Sequence, residues 1–87
     1  TEEDRMLANR DGLVKIRANI AGEVELRAQV GQTIAPRQIL AVVEGDNEIE
    51  SLSVRKTSVV MEHLVECGSE VAAQTALMHV RELPEYD

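Results

Sequence analysis

The side chains best suited to chemistry in this sequence are a histidine and a cysteine four positions apart, His63 and Cys67. On a strand this spacing places both on one face, but a zinc site needs three or four suitable ligands. Glu62, Glu66 and His79 are candidate additions, and none of them forms a ligand-spaced pair. Cys67 also lacks a nucleophile motif and a recognisable oxyanion arrangement. We therefore expect no metal site and no catalytic residue, with His63 at the edge of the core and Cys67 acting as a small hydrophobe.

The composition argues against several classes of function. The chain of 87 residues has 9 Lys and Arg against 16 Asp and Glu, a formal net charge of −7, and one aromatic residue, Tyr86. Nucleic-acid binding favours basic patches and stacking aromatic side chains, so we expect no nucleic-acid partner. The carboxylates are expected to scatter over exposed strand faces, which suits solubility better than acid–base catalysis. The sequence therefore predicts a protein that is not an enzyme.

Size and cysteine usage predict a small cytoplasmic domain. A single cysteine excludes an internal disulfide and suits a reducing compartment. The sequence shows no signal peptide and no apolar run of about 18 residues, so we expect a soluble protein without membrane contact. A chain of this size buries a thin core, which must be aliphatic here.

Two segments of the sequence repeat one pattern. Residues 31–40 and 68–77 both read Gly-x-x-(Ile/Val)-Ala-x-x-x-x-Leu, and they lie 37 positions apart. This repeat predicts two copies of one β-unit related by a pseudo-twofold axis. In the first copy Gly22 and Gly31 are 9 positions apart, whereas in the second copy Ser58 and Gly68 are 10 positions apart, so one copy is expected to contain a β-bulge.

Period-two alternation and short apolar runs predict strands throughout the central part of the chain. The predicted strands cover residues 14–18, 24–30, 39–43, 49–54, 59–66 and 76–80, with turns at 31–38 and 68–75. Met61 and Met78 are expected to fill the core. Residues 1–12 are predicted to be a polar leader, either a short helix or disordered, residues 13–82 a domain, and residues 83–87 a tail.

Midway between the repeats lies a predicted hairpin tip, residues 43–49, with the turn pair Asp46-Asn47. Asn and Asp tolerate the positive φ that a type I′ turn requires, so the pair is interpreted as a plain two-residue turn.

In this order and spacing, the motifs resemble the biotinyl/lipoyl attachment domains of carboxylases and 2-oxo acid dehydrogenases. Residues 18–22 are similar to the strand entry of that family, and both repeats are similar to its Gly-Asp-x-Val-x-x-Gly-Gln-x-Leu motif. Residues 43–47 match the lipoyl-type Val-Glu-x-Asp-Lys and the biotinyl-type Glu-Ala-Met-Lys. The resemblance implies an all-β flattened barrel, or barrel-sandwich hybrid, of two four-stranded antiparallel sheets. It also implies cofactor attachment at the tip, so Gly45, Asp46 and Asn47 are the candidate cofactor-binding positions.

The sequence departs from this family at the attachment point itself. Asn47 stands where the family has its modified lysine, and a carboxamide is not a nucleophile. The two lysines of the chain are Lys15, in the first predicted strand, and Lys56, which strand geometry places roughly 20 Å from the tip. Arg37 and Gln74 replace the turn glycine of the family, which requires another turn type or a strained one.

The preferred hypothesis is a non-catalytic protein-interaction or scaffold module without a prosthetic group, binding a protein partner that the sequence does not identify. One alternative is a genuine biotin or lipoyl carrier modified at Lys56 and serving a separate carboxylase or dehydrogenase. Another alternative is the lipoyl-like part of a membrane-fusion adaptor, although the tip lacks the coiled-coil insertion of those proteins.

Overall fold

The computed structural model describes residues 12–84, and every regular element among them is a β-strand. Eight strands follow in order: β1 (Leu13–Arg17), β2 (Gly22–Leu26), β3 (Thr33–Ile34), β4 (Ile39–Glu44), β5 (Ile49–Ser53), β6 (Ser58–His63), β7 (Glu70–Val71) and β8 (Ala76–Glu82). They form two four-stranded antiparallel sheets, with strand order β1-β8-β6-β3 in sheet I and β5-β4-β2-β7 in sheet II. The predicted all-β fold of two four-stranded antiparallel sheets is confirmed. No stretch of the described chain is a helix with the length and hydropathy to cross a bilayer.

The hydrogen bonds repeat with the pseudo-twofold symmetry that the sequence repeat predicts. The Gly31 N–H donates to the Val60 carbonyl at 2.8 Å, and the Gly68 N–H donates to the Val24 carbonyl at 2.7 Å. The same operation exchanges β1 with β5, β2 with β6, β3 with β7 and β4 with β8, so it exchanges the two sheets. Each sheet is therefore assembled from strands of both copies.

The expected β-bulge lies at Met61 in the second copy. Val60 pairs with Val80 and Glu62 with His79, so Met61 is the extra residue in β6. In the first copy Val24 and Glu25 pair with consecutive residues of β4 without a break. The extra residue between Ser58 and Gly68 is thus absorbed within the strand rather than in the following loop.

The core is aliphatic and receives side chains from both sheets. Its fully buried members include Ile34, Leu40, Val43, Val60, Leu77, Met78 and Val80. The one buried polar side chain in the described region, Ser58, donates its hydroxyl proton to the Lys56 carbonyl at 2.8 Å. Met78 fills the core as predicted. The same prediction for Met61 was wrong, because the bulge takes it out of the inward alternation and leaves its side chain 42% exposed.

Several predicted boundaries shift where the chain crosses between sheets. The strand predicted to reach Val30 ends at Leu26, and the one predicted to reach Glu66 ends at His63. Just beyond these points the Arg27 and Leu64 amides still donate to the same neighbouring strands, at the carbonyls of Leu40 and Leu77. The chain then reaches the other sheet, where the Gly31 and Gly68 amides donate to β6 and β2. Short strands β3 and β7 lie inside the segments predicted to be turns. The leader predicted at residues 1–12 and the tail at 83–87 lie mostly outside the described residues.

Arg37 and Gln74 adopt the backbone conformation of the glycines they replace. Their φ angles are 70° and 74°. Each is the third residue of a turn closed by a hydrogen bond, from Gln38 N–H to Ala35 O at 3.1 Å and from Thr75 N–H to Ala72 O at 3.2 Å. Positive φ at that position alone is the pattern of a type II turn. The turns are therefore conserved between the two copies and strained in both.

Candidate functional site

The hairpin tip between β4 and β5 is the candidate functional site. Glu44 pairs with Ile49, and the Gly45 N–H donates to the Glu48 carbonyl at 2.8 Å. Asp46 and Asn47 form the exposed two-residue connection, as predicted. The prediction of a type I′ turn was wrong, because neither residue has a positive φ.

The β1–β2 loop packs closely against the tip. A Cβ at Gly45 would lie 2.9 Å from the Ala21 carbonyl oxygen, and a Cβ at Gly22 would overlap the Glu44 carbonyl group. These two glycines allow the loop and the tip to approach at backbone distance. The connection at Asp46 and Asn47 lies next to this close approach, and neither residue has a positive φ.

A second contact fixes the same loop. The half-buried Glu50 carboxylate accepts one hydrogen bond from the Asn19 backbone N–H, at 2.8 Å, and another from the Asn19 Nδ2 amide. Sequence reasoning did not identify this pair. The only signal was the position of Asn19 in residues 18–22, the segment that resembles the strand entry of the biotinyl/lipoyl attachment domains.

No amine lies at the tip. Asn47 presents an exposed carboxamide, which does not attack an acyl-adenylate. Lys15 is in the middle of β1, and Lys56 is in the bend between β5 and β6, at the far end of β5 from the tip. At that end, the Leu83 N–H donates to the Thr57 carbonyl at 2.9 Å and the Glu82 N–H to the Gly12 carbonyl at 2.7 Å. Lys56 therefore lies beside the end of β8 rather than on a projecting hairpin.

Carboxylates surround the base of the tip. Glu44, Glu23 and Glu70 occupy directly paired positions on β4, β2 and β7. With Asp46 they are the charged side chains lining a shallow cavity against the β1–β2 loop. Like charges at paired positions repel each other. The expectation of scattered carboxylates was therefore wrong here, and within residues 12–84 no group of three or more Asp, Glu, His or Cys side chains is arranged to hold a metal ion.

His63 and Cys67 line a separate open groove between the loops that follow β2 and β6. Nε2 of the half-buried His63 ring lies 2.7 Å from the Ala28 carbonyl oxygen and donates to it. The exposed Cys67 accepts a hydrogen bond from the Leu26 N–H at its Sγ, at 3.3 Å. His63 lies at the edge of the core as predicted. Cys67, interpreted as a small hydrophobe, is exposed, because the strand ends before it.

Comparison with known proteins finds solved structures with a similar fold but does not identify a family. No known family model matches the chain, and no curated protein matches it. Among solved structures, a single-chain, multi-domain long-chain acyl-CoA carboxylase superposes with a TM-score of 0.77 at 22% identity, over 97% of this chain and 9% of that one. A putative succinylglutamate desuccinylase/aspartoacylase from Shewanella frigidimarina NCIMB 400 superposes with a TM-score of 0.69 at 21% identity, over 82% of this chain and 20% of that one. The chain thus spans a small part of each larger protein, and the likeness is one of fold.

Proposed function

We propose that this chain is a carrier-like domain that acts as a non-catalytic protein-interaction or scaffold module. The observation that carries the proposal is Asn47, an exposed carboxamide at the apex of the hairpin where the biotinyl/lipoyl attachment family has its lysine. The fold likeness to part of an acyl-CoA carboxylase agrees with the sequence resemblance, which covers roughly residues 13–82. A protein partner, the absence of a prosthetic group and a cytoplasmic location belong to the same proposal.

The alternative, a carrier modified at Lys56, has weaker support. A swinging prosthetic group needs an exposed apex on a rigid base. Lys56 is exposed, but it lies in a bend beside the end of β8. The ligase would have to approach a bend beside Leu83, whose N–H donates to the Thr57 carbonyl.

The first test is the intact mass of the chain isolated from its native host. We expect the mass of the unmodified polypeptide. An added biotinyl, lipoyl or octanoyl mass located on Lys56 would refute the proposal and establish the carrier alternative.

The second test asks whether the tip retains the geometry of an attachment site. With a biotin or lipoate ligase and ATP, we expect Asn47→Lys to be acylated weakly, because the new amine stands at the apex. Asp46→Lys is the matched control, one position earlier on the same turn, and we expect less acylation of it. Peptide mass spectrometry locates the label. Failure of Asn47→Lys at high ligase concentration would contradict the assignment of the tip.

A further inference from the structure

The outer surfaces of the two sheets carry opposite charge. Strand alternation places Glu23, Glu25, Glu44 and Glu70 on the outside of sheet II, and all four are exposed. We call this surface the acidic face. Lys15, Arg17 and Arg81 are exposed on the outside of sheet I, together with one carboxylate, Glu62, which lies 3.1 Å from His79. Because the three cations outnumber this carboxylate, we call this surface the basic face. The two faces lie on opposite sides of the sandwich.

The pseudo-twofold axis relates positions on the acidic face to positions on the basic face. The operation that exchanges the sheets brings Arg81 of the basic face onto the position of Glu44 of the acidic face, since the two residues hold equivalent positions in β8 and β4. Val59 is likewise equivalent to Glu23. Glu25 and Glu62 are also equivalent and carry the same charge. The backbone therefore repeats while the charge reverses at the position of Glu44 and Arg81, and the two faces are similar in shape and differ in net charge.

The acidic face also has a cost in the isolated chain. Glu44, Glu23 and Glu70 are paired side by side, which destabilises the sheet. Within residues 12–84 no ion pair holds these three carboxylates, whereas Glu25 pairs with Arg27 at 3.2 Å. A basic surface laid on this face would relieve the repulsion, and the chain itself provides one.

We propose that copies of this chain stack, with the acidic face of one copy on the basic face of the next. Exposed apolar side chains add contact area to the charges: Ile49, 68% exposed, borders the acidic face, and Met61, 42% exposed, borders the basic face. Since the two surfaces are different, the contact is heterologous and leaves a free face at each end of the stack. The stacking extends the proposed interaction role and does not depend on whether any lysine is modified.

The contact is expected to be weak. Four strands spaced about 4.8 Å apart and about five residues long give a face of roughly 15 by 17 Å. An interface of this size falls below the roughly 1,200 Å² of standard stable complexes. The net charge of −7 also opposes association. Association should therefore occur at high micromolar to millimolar concentration and should weaken with salt, because charge complementarity is screened.

Sedimentation velocity of the full chain provides the test, at concentrations up to about 1 mM in low salt, where unscreened charges attract most strongly. We expect the weight-average mass to rise with concentration past that of a dimer and to return to that of the monomer at about 0.5 M salt. A chain that stays monomeric in low salt would overturn the proposal. Association that persists in high salt would also overturn it, since it would indicate an apolar or strand-edge contact.

Two double variants test the contribution of each face separately. Glu23→Gln with Glu44→Gln neutralises the acidic face, and Lys15→Gln with Arg81→Gln neutralises the basic face. Each double variant alone should remain monomeric, whereas an equimolar mixture should form a dimer and stop there, because each variant retains one complementary face. Circular dichroism confirms folding, and the salt dependence of the natural chain needs no variant.

The matched control is Glu48→Gln with Glu66→Gln, which removes the same charge at the tip and in the β6–β7 loop. Both double substitutions reduce the net negative charge of the chain, and so both reduce the general repulsion between copies. If stacking is correct, the control still associates while the acidic-face variant does not. Equal behaviour of the two variants would show that net charge alone governs association, and it would refute the proposal.

Discussion

Arg37 and Gln74 occupy the left-handed region of φ at the third position of their type II turns, at 70° and 74°. For a residue with a Cβ this conformation costs about 1–2 kcal/mol, which glycine avoids. Glycine in turn adds entropy to the unfolded chain, worth about 0.4–1 kcal/mol. We therefore expect Arg37→Gly and Gln74→Gly each to raise the free energy of unfolding by about 0.5–1 kcal/mol, as measured by urea denaturation.

The neighbouring residue provides the control for this prediction. Ala73 is the second residue of the Gln74 turn and does not have a positive φ. Ala73→Gly therefore relieves no strain and should lower the free energy of unfolding by about 0.5–1 kcal/mol. If all three glycine variants are destabilised to a similar degree, the positive φ angles carry no appreciable strain.

At the scale of a single element, the bulge in β6 can be removed. Deleting Met61 leaves Glu62 directly after Val60, as Glu25 follows Val24 in β2, so the pairing with β8 should become regular. Since Met61 is 42% exposed, little buried area is lost. We expect a loss of about 1 kcal/mol in the free energy of unfolding, as for a surface change without a packing defect.

Deletion of Glu25 is the matched comparison, because its side chain is also exposed and its strand contains no bulge. This deletion turns Leu26 to the outer surface and moves Arg27 toward the core, a reversal of faces that costs at least about 3 kcal/mol. Urea denaturation measures both deletions. Similar losses in the two variants would mean that the register of β6 depends on Met61.

Local alternation was sufficient to predict most strands, because strands with one buried face show it directly, as in Val24 and Leu26 against Glu23 and Glu25. Alternation continues in the sequence through Val30, where the strand has already ended. The crossing to the other sheet involves a hydrogen bond from the Gly31 N–H to the distant Val60 carbonyl, which a local pattern does not contain. Strand ends, and with them the exposure of Cys67, therefore could not be predicted from neighbouring residues.

The position of the hairpin turn was predicted from the sequence, whereas the contacts that support it were not. The order of motifs located Asp46 and Asn47 at a hairpin apex. The tip is supported by the approach of Ala21 to Gly45 and by the Glu50–Asn19 contact, which joins residues 31 positions apart. Such contacts follow from the packing of distant segments, which patterns of neighbouring residues do not predict. The separation of charge between faces likewise appears only after the strand order of both sheets is known.

At the scale of the whole molecule, the pseudo-twofold axis makes the tip hairpin and the pairing of the first and last strands equivalent. The axis exchanges β4 and β5 with β8 and β1, and the Glu82 N–H donates to the Gly12 carbonyl at 2.7 Å. A chain that joins Asp87 to Thr1 and opens between Asp46 and Asn47 therefore retains every strand pair. We expect this circular permutant to fold into the same two sheets.

The permutation exchanges a two-residue connection for a loop made of residues 83–87 and 1–11. Loop-closure entropy predicts a cost of about 2 kcal/mol for that exchange, measured as the difference in the free energy of unfolding from the natural chain. The control opens the same circle between Val42 and Val43, inside β4, which lies between β5 and β2 in sheet II. Because that cut divides a central strand and exposes the buried Val43 to fraying, the control should not fold. If the permutant opened at the tip is equally unstable, an intact turn at residues 46 and 47 is required for folding. The β4–β5 hairpin and the β1–β8 pair would then be equivalent in structure but not in energy.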